Sequence, residues 1–159
     1  MVEIELCKAI REFVAHAVKD LELPVQVKND GGDEYFAHKV PKIVNGYLPP
    51  KRSQKEDDIP FIMIRPDAGT TADEETRVEV SIIFGAYSKT DDGYEHCMNM
   101  LTVVRTALLS MPFGVLAKRY ILERELSWQN YPDHLDAYWQ VDLKTVWRLR
   151  TVFPTNPEY

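Results

Sequence analysis

Apolar and polar positions follow two different periods along this chain, and the change of period marks its elements. Between residues 3 and 21, Ile4, Cys7, Ile10, Phe13, Val14, Ala17, Val18 and Leu21 wind along one side, with Glu5, Lys8, Glu12, His16 and Lys19 opposite. That spacing predicts an amphipathic helix with a broad buried face. Pro24 closes it, and residues 25–28 read as a short strand. A second helical stripe runs through Tyr94, Cys97, Met98, Leu101, Val104, Leu108 and Met111 until Pro112 stops it. Asp92, with Glu95 three residues on, has the spacing of a capping box.

Elsewhere the period is two. Residues 61–64 (FIMI) make a short apolar strand ended by Pro66. Val78, Val80, Ile82, Phe84 and Ala86 share one face of the next, with Arg77, Glu79 and Ser81 on the other. The C-terminal third reads as a hairpin. Leu122, Leu126 and Trp128 alternate in its first arm, with Arg124 intruding on the apolar face, and residues 130–136 (NYPDHLD) make the turn. In its second arm Trp139, Val141, Leu143, Thr145, Trp147 and Leu149 line one face, and Gln140, Asp142, Lys144, Arg148 and Arg150 the other.

Two stretches do not follow either period. Residues 29–59 are punctuated by Gly, Pro and charge blocks, with residues 35–44 (YFAHKVPKIV) the best hidden strand. Residues 66–76 (PDAGTTADEET) lie between two strands, carry four carboxylates and no basic side chain, and read as a long, soft, acidic arm. The predicted fold class is α+β: one twisted, mostly antiparallel sheet with two amphipathic helices packed on one face. It is expected as a single domain over residues 1–150 with an irregular insertion at 29–59, followed by a flexible tail at 151–159.

Composition narrows the picture. With 159 residues, 45% hydrophobic and 28% charged, the chain has the size and make-up of one globular domain. No uncharged apolar stretch approaches the ~20 residues of a membrane span, and the first residues carry acids and no apolar signal core, so neither a membrane partner nor a secretory leader is expected. Cys7 and Cys97 both fall in helical apolar stripes, which suits two buried thiols in a reducing cytosol better than a disulfide. A net charge of −6 argues against broad nucleic-acid affinity, which rests on many Lys/Arg–phosphate contacts.

Candidate chemistry is sparse. There is no GxSxG elbow, P-loop, GxGxxG or HExxH, and His16, His38, His96 and His134 share no metal-ligand spacing. His96 and Cys97 are neighbours, but adjacent helical positions point ~100° apart and do not converge on one ion. The TDDG of residues 90–93 fails the spacing of a calcium loop. His134, between Asp133 and Asp136, sits in a turn, an exposed place for an acid–base group. No catalytic, cofactor-binding or metal-ligating residue is therefore assigned, and no enzyme activity or cofactor is expected. Arg124 suits an ion pair or an interface better than catalysis. Tyr138 faces away from Trp139 and Trp147, so it is either exposed or covered by another chain.

The order of elements, with IPFIMIR, the acidic arm, RVEVSIIFGAYSKTDDGYEHC, a second helix and a closing YWQVDLKTVW strand, resembles the tail terminator (tail completion) proteins of long-tailed bacteriophages. The resemblance covers most of residues 1–150 and is weakest over 29–59. It implies a non-enzymatic subunit that forms a homo-oligomeric ring, commonly a hexamer, which caps the tail tube and joins it to the head. The implied partners are further copies of itself, the tail tube protein and a head completion or neck protein, with DNA passing through the ring but no sequence-specific nucleic-acid binding. The implied location is the virion tail, assembled in the bacterial host cytoplasm. The candidate interface residues are Asp67, Asp73, Glu74, Glu75, Arg77, Tyr87, Arg124, Tyr138, Lys144, Arg148 and Arg150, with the acids of one subunit meeting the bases of the next. The competing expectations are a small α+β enzyme or ligand binder built around Arg124 and His134, and a monomeric adaptor of the bacterial cytosol.

Overall fold

A computed structural model of the chain describes residues 2–28, 31, 34–46, 60–88, 92–131 and 138–151. The turn with His134 and the tail beyond Thr151 lie outside the described residues, as does much of the 29–59 insertion.

The first helix, α1 (Val2–Ala17), buries Leu6, Cys7, Ile10 and Val14, with Val18 closing the same stripe in the turn that follows. Strands β1 (Leu23–Lys28) and β2 (Glu34–Lys39) pair as an antiparallel two-stranded sheet. The expected strand over 35–44 is two strands, because Pro41 interrupts it before β3 (Lys42–Asn45), which runs parallel to the next strand. Then come β4 (Phe61–Thr71), β5 (Glu75–Tyr87) and α2 (Gly93–Leu109). A short 3₁₀ turn (Pro112–Gly114) leads to β6 (Val115–Leu116), β7 (Tyr120–Leu122), β8 (Ser127–Asn130) and β9 (Tyr138–Arg150).

The main sheet has the order β3-β4-β5-β9-β7-β6, with β8 also paired to β9, and is antiparallel except for β3. Both helices pack on one face. Ile62, Ile64, Val78, Val80, Ile82, Phe84, Val141, Leu143, Trp147 and Leu149 meet Leu6, Ile10 and Val14 of α1 and Cys97, Met100, Leu101, Val104 and Leu108 of α2 in one continuous core. The protein is an α+β domain, and the period-two faces of β5 and β9 are the faces that meet the helices. Trp147, wholly buried, donates its indole N–H to Thr145 Oγ1 at 2.9 Å, and the Thr145 hydroxyl donates to the Val80 carbonyl at 2.8 Å. A large indole can thus sit in the core with its one polar atom satisfied.

Two glycines mark close approaches. A Cβ on Gly85 would collide with the Phe61 ring, and one on Gly93 with the Trp139 indole. At Gly93 the start of α2 lies directly on the sheet, and Trp139 donates its indole N–H to the Ser88 carbonyl at 3.1 Å.

Several expectations need correction. The arm at 66–76 is not a soft loop. β4 runs through it to Thr71, β5 begins at Glu75, and the turn is only Ala72, Asp73 and Glu74, closed by the Ala72 amide donating to the Glu75 carbonyl at 2.9 Å. Apart from buried Thr76 its side chains are exposed, so no apolar alternation announces the strands; the backbone ladder between β4 and β5 holds them. The C-terminal hairpin's first arm is likewise broken into β7 and β8, both paired to β9. Arg124 therefore lies beyond the end of β7 and is exposed, instead of sharing a face with Leu122, and Trp128 is 47% exposed. On α2 Tyr94 is exposed and Met100 fills the core. The capping box is absent too: Asp92 sits at φ −77°, ψ −5° and makes no side-chain cap bond. Its carboxylate instead accepts from the Ser88 hydroxyl and faces His96 Nε2 at 3.7 Å.

Candidate interaction surface

The face of the sheet away from the helices changes character along its length. At one end Phe61, Met63 and Ile83 are buried together, with Val44 and Tyr138 packed against them. Tyr138 stacks on Phe61, ring centroids 6.2 Å apart, which leaves it half buried instead of freely exposed. Burial holds its phenol well above the ordinary tyrosine range.

The middle of this face is polar. Asp142, 4% exposed, accepts from the Tyr131 hydroxyl at 2.9 Å and from the Gln140 amide at 3.0 Å. Ser81, equally inaccessible, donates to Asp67, the residue at the bulge in β4, whose other oxygen receives Arg65 Nε at 3.2 Å. Asp142, Tyr131, Ser81, Asp67 and Arg65 border a pocket of about 290 Å³ that Lys144, Glu79 and Glu125 also line. Desolvation first, then the hydrogen bond to Asp142, raises the Tyr131 pKa.

The far end is a ribbon of three strands. The ends of β4, β5 and β9 project as one ladder, with Glu75 opposite Arg150 and Arg77 opposite Arg148. Arg77 grips Glu123 with two hydrogen bonds, at 2.9 and 3.2 Å. This pairing lowers the Glu123 pKa and raises that of Arg77. Arg148 reaches Glu75 at 3.5 Å and Glu123 at 4.0 Å. Thr151, just after β9, holds the ribbon's tip, its amide donating to the Glu74 carbonyl at 3.1 Å and its hydroxyl to the Ala72 carbonyl at 2.8 Å.

The candidate interface residues thus separate into groups. Glu75, Arg77, Arg148 and Arg150 come together on the ribbon, and Asp73, Glu74 and Arg150 border a cleft at its tip. Asp67 and Lys144 border the polar pocket. Tyr87 and Tyr138 are opposite each other at the other end of β5 and β9. Arg124 stands apart, its guanidinium 3.5 Å from the Met111 carbonyl. Within one chain, one of the arm's acids already meets one of the last strand's bases: Glu75 reaches Arg148 because the hairpin lies against β9, a contact distinct from the one expected between subunits. Sequence spacing could not reveal this, since β5 and β9 are joined by a register that only the folded sheet sets.

Sequence reasoning also missed Glu123, which anchors two arginines, and Phe113, which is 95% exposed. The only signal for Phe113 was its place between Pro112 and Gly114, a turn-forming context for a large apolar ring.

Cys7 and Cys97 are free and buried. Cys97 Sγ donates weakly to the carbonyls of Trp139 at 3.4 Å and Phe84 at 3.6 Å. Among the described residues no group of three or more His, Cys, Asp or Glu side chains is placed to hold a metal ion, and no helix is long and apolar enough to cross a membrane.

The fold and this surface define an α+β sheet protein with a polar, charge-paired ribbon. Compared with known proteins, the sequence matches no family model and no curated protein.

Proposed function

We propose that the protein is a structural assembly subunit, a tail terminator of a long-tailed bacteriophage. In this reading copies of it close into a ring, hexameric as the resemblance implies, on the end of the tail tube. The ring stops tube growth and presents its other face to the neck of the head. The observation that carries the proposal is the β4–β5–β9 ribbon, a paired extension with an acidic tip at Asp73, Glu74 and Glu75. A paired ribbon reaches a neighbour or lines a lumen while keeping its shape, which a loop of the same length does not. Acids along a DNA path repel phosphate and keep the passage non-adhesive. The protein's place is then the virion tail, after assembly in the host cytoplasm, with no chemistry of its own.

The test is mass measurement and negative-stain electron microscopy of the purified chain, followed by its addition to growing tubes of a tail tube protein from the same genome. Rings that cap tubes and limit their length are expected. A strict monomer, or rings that leave tube growth unchanged, would overturn the proposal.

A second reading has one observation in its favour. The pocket on the outer face brings buried Asp142 and Ser81 together with Arg65, Lys144 and Tyr131, a donor-and-acceptor set suited to a small polar ligand. Arg124 takes no part in it. A thermal-shift screen of small polar metabolites, with Asp142→Asn as control, separates this reading from the first.

A further inference from the structure

Phe113 combines two costs that a folded chain rarely keeps together. Its ring is 95% exposed, and its backbone is left-handed, at φ 58° and ψ 11°. A phenylalanine gains nothing locally from either state. The turn is nevertheless held rigid, with Pro112 before it and the Gly114 amide bonded to the Met111 carbonyl at 3.0 Å. Close by, Ala117 and Lys118 also have positive φ, and Leu109 and Ile121 add exposed apolar surface. Strain of this kind persists where a surface is built for contact. A protruding aromatic in a hydrogen-bonded turn, with Lys118 exposed in the turn on the far side of β6, has the form of an interface anchor.

The same molecule carries a recess of matching character. Beyond Ile64, β4 has β5 on one side and, among the described residues, no strand on the other. Along this open edge runs a groove of about 340 Å³, bordered by Pro66, Ala68, Gly69, Thr71, Val78 and, from α1, Glu3. The small side chains leave room for a ring, and exposed Glu3 gives the rim a charge opposite to that of exposed Lys118, whereas Arg119 is already paired with Glu5 and Asp67 with Arg65 in the same chain. Knob and groove do not meet within one chain: Phe113 stands exposed and is not among the residues that border the groove.

We infer that Phe113 of one copy seats in the β4-edge groove of a second copy, with Lys118 approaching Glu3. Such a contact is heterologous: a pair keeps one unfilled groove, on the copy that gave its knob, and one unfilled knob, on the other, so repetition yields a ring or a filament and never stops at an isologous pair. The inference rests on the reading of the protein as a ring subunit and names the surface by which the ring would close.

The experiment uses the full chain. Phe113→Asn keeps a residue that accepts the left-handed turn while removing the ring. It should weaken self-association, read by sedimentation, about 30-fold or more, the loss of one hot-spot aromatic, with a melting temperature no lower than the parent's. In parallel, Phe113→Cys and Thr70→Cys chains are mixed under mild oxidation; the native thiols are buried and silent. An interchain disulfide should form in the mixture and in neither variant alone. Parent-like association of Phe113→Asn without that disulfide overturns the contact, and so does a Thr70→Cys homodisulfide, which marks edge-to-edge pairing of two β4 strands. Rings that survive in Phe113→Asn remove this contact and leave the ring reading standing. A cross-linked assembly that fails to stop tube growth keeps the contact and removes the terminator reading. A parent that stays monomeric at its highest soluble concentration overturns both.

Discussion

Cys97 illustrates how a single side chain can be legible in type and place yet acquire its properties from its surroundings. Its place in a helical apolar stripe predicts a buried thiol, and it is buried against the backbone of β5 and β9. Desolvation raises its pKa to about 12, and that of Cys7 to about 11. The sign follows from linkage. An unfolded Cys97 loses its proton near 9, whereas the folded one keeps it to about 12. This group's contribution to stability is therefore intact below about 9 and falls as pH rises toward 12. Both thiols should resist a disulfide-exchange reagent in native buffer at neutral pH and react at once in denaturant, and the melting temperature should drop above about pH 9. Rapid labelling of the native protein would contradict the burial. Arg124 shows the converse: its register with Leu122 pointed inward, yet β7 stops at Leu122, Glu123 makes a last backbone bond to Val146 of β9, and Arg124 lies exposed beyond it.

At the scale of elements, the helices were the most readable parts and the ribbon the least. A helix declares itself through contacts three and four residues apart, all within its own sequence. The distal half of β4 has few apolar side chains to reveal it, and it is held by β5, whose own register is set by β9, far away along the chain. Hydrogen exchange gives a direct test. Amides of β5 from Arg77 to Glu79, flanked by β4 and β9, should be well protected. In β4, amides that point toward β5 should exchange slowly and those on the open edge fast. Uniform rapid exchange over residues 66–76 would restore the loop reading. The ion pairs follow the same logic. Arg148 and Glu75 are close because two strands are in register, and at such exposed positions they guide encounter and specificity more than they stabilise.

Across the whole molecule, one core ties both helices to β4, β5, β7 and β9. No described part of the main sheet has a separate apolar core large enough to fold alone, because the outer-face cluster is only Phe61, Met63 and Ile83 with two partly buried neighbours. Heating at neutral pH and low protein concentration should therefore give a single cooperative transition, with calorimetric and van't Hoff enthalpies in agreement. Two resolved transitions would mean that the ribbon or the β1–β2 pair unfolds independently.

What the sequence by itself determined was the α+β class, the two helices, the burial of both cysteines and the inward faces of β5 and β9. Each of these follows from local periodicity, because a side chain's direction is set by its immediate backbone. What only the tertiary structure decided was that the acidic arm is a paired ribbon, that Glu75 and Arg148 meet in the same chain, and that the last hairpin's first arm is broken in two. It also decided that Phe113 stands clear of the surface in a strained turn. These outcomes depend on which distant strands pair and in what register, a property of the folded sheet that no window of neighbouring residues contains.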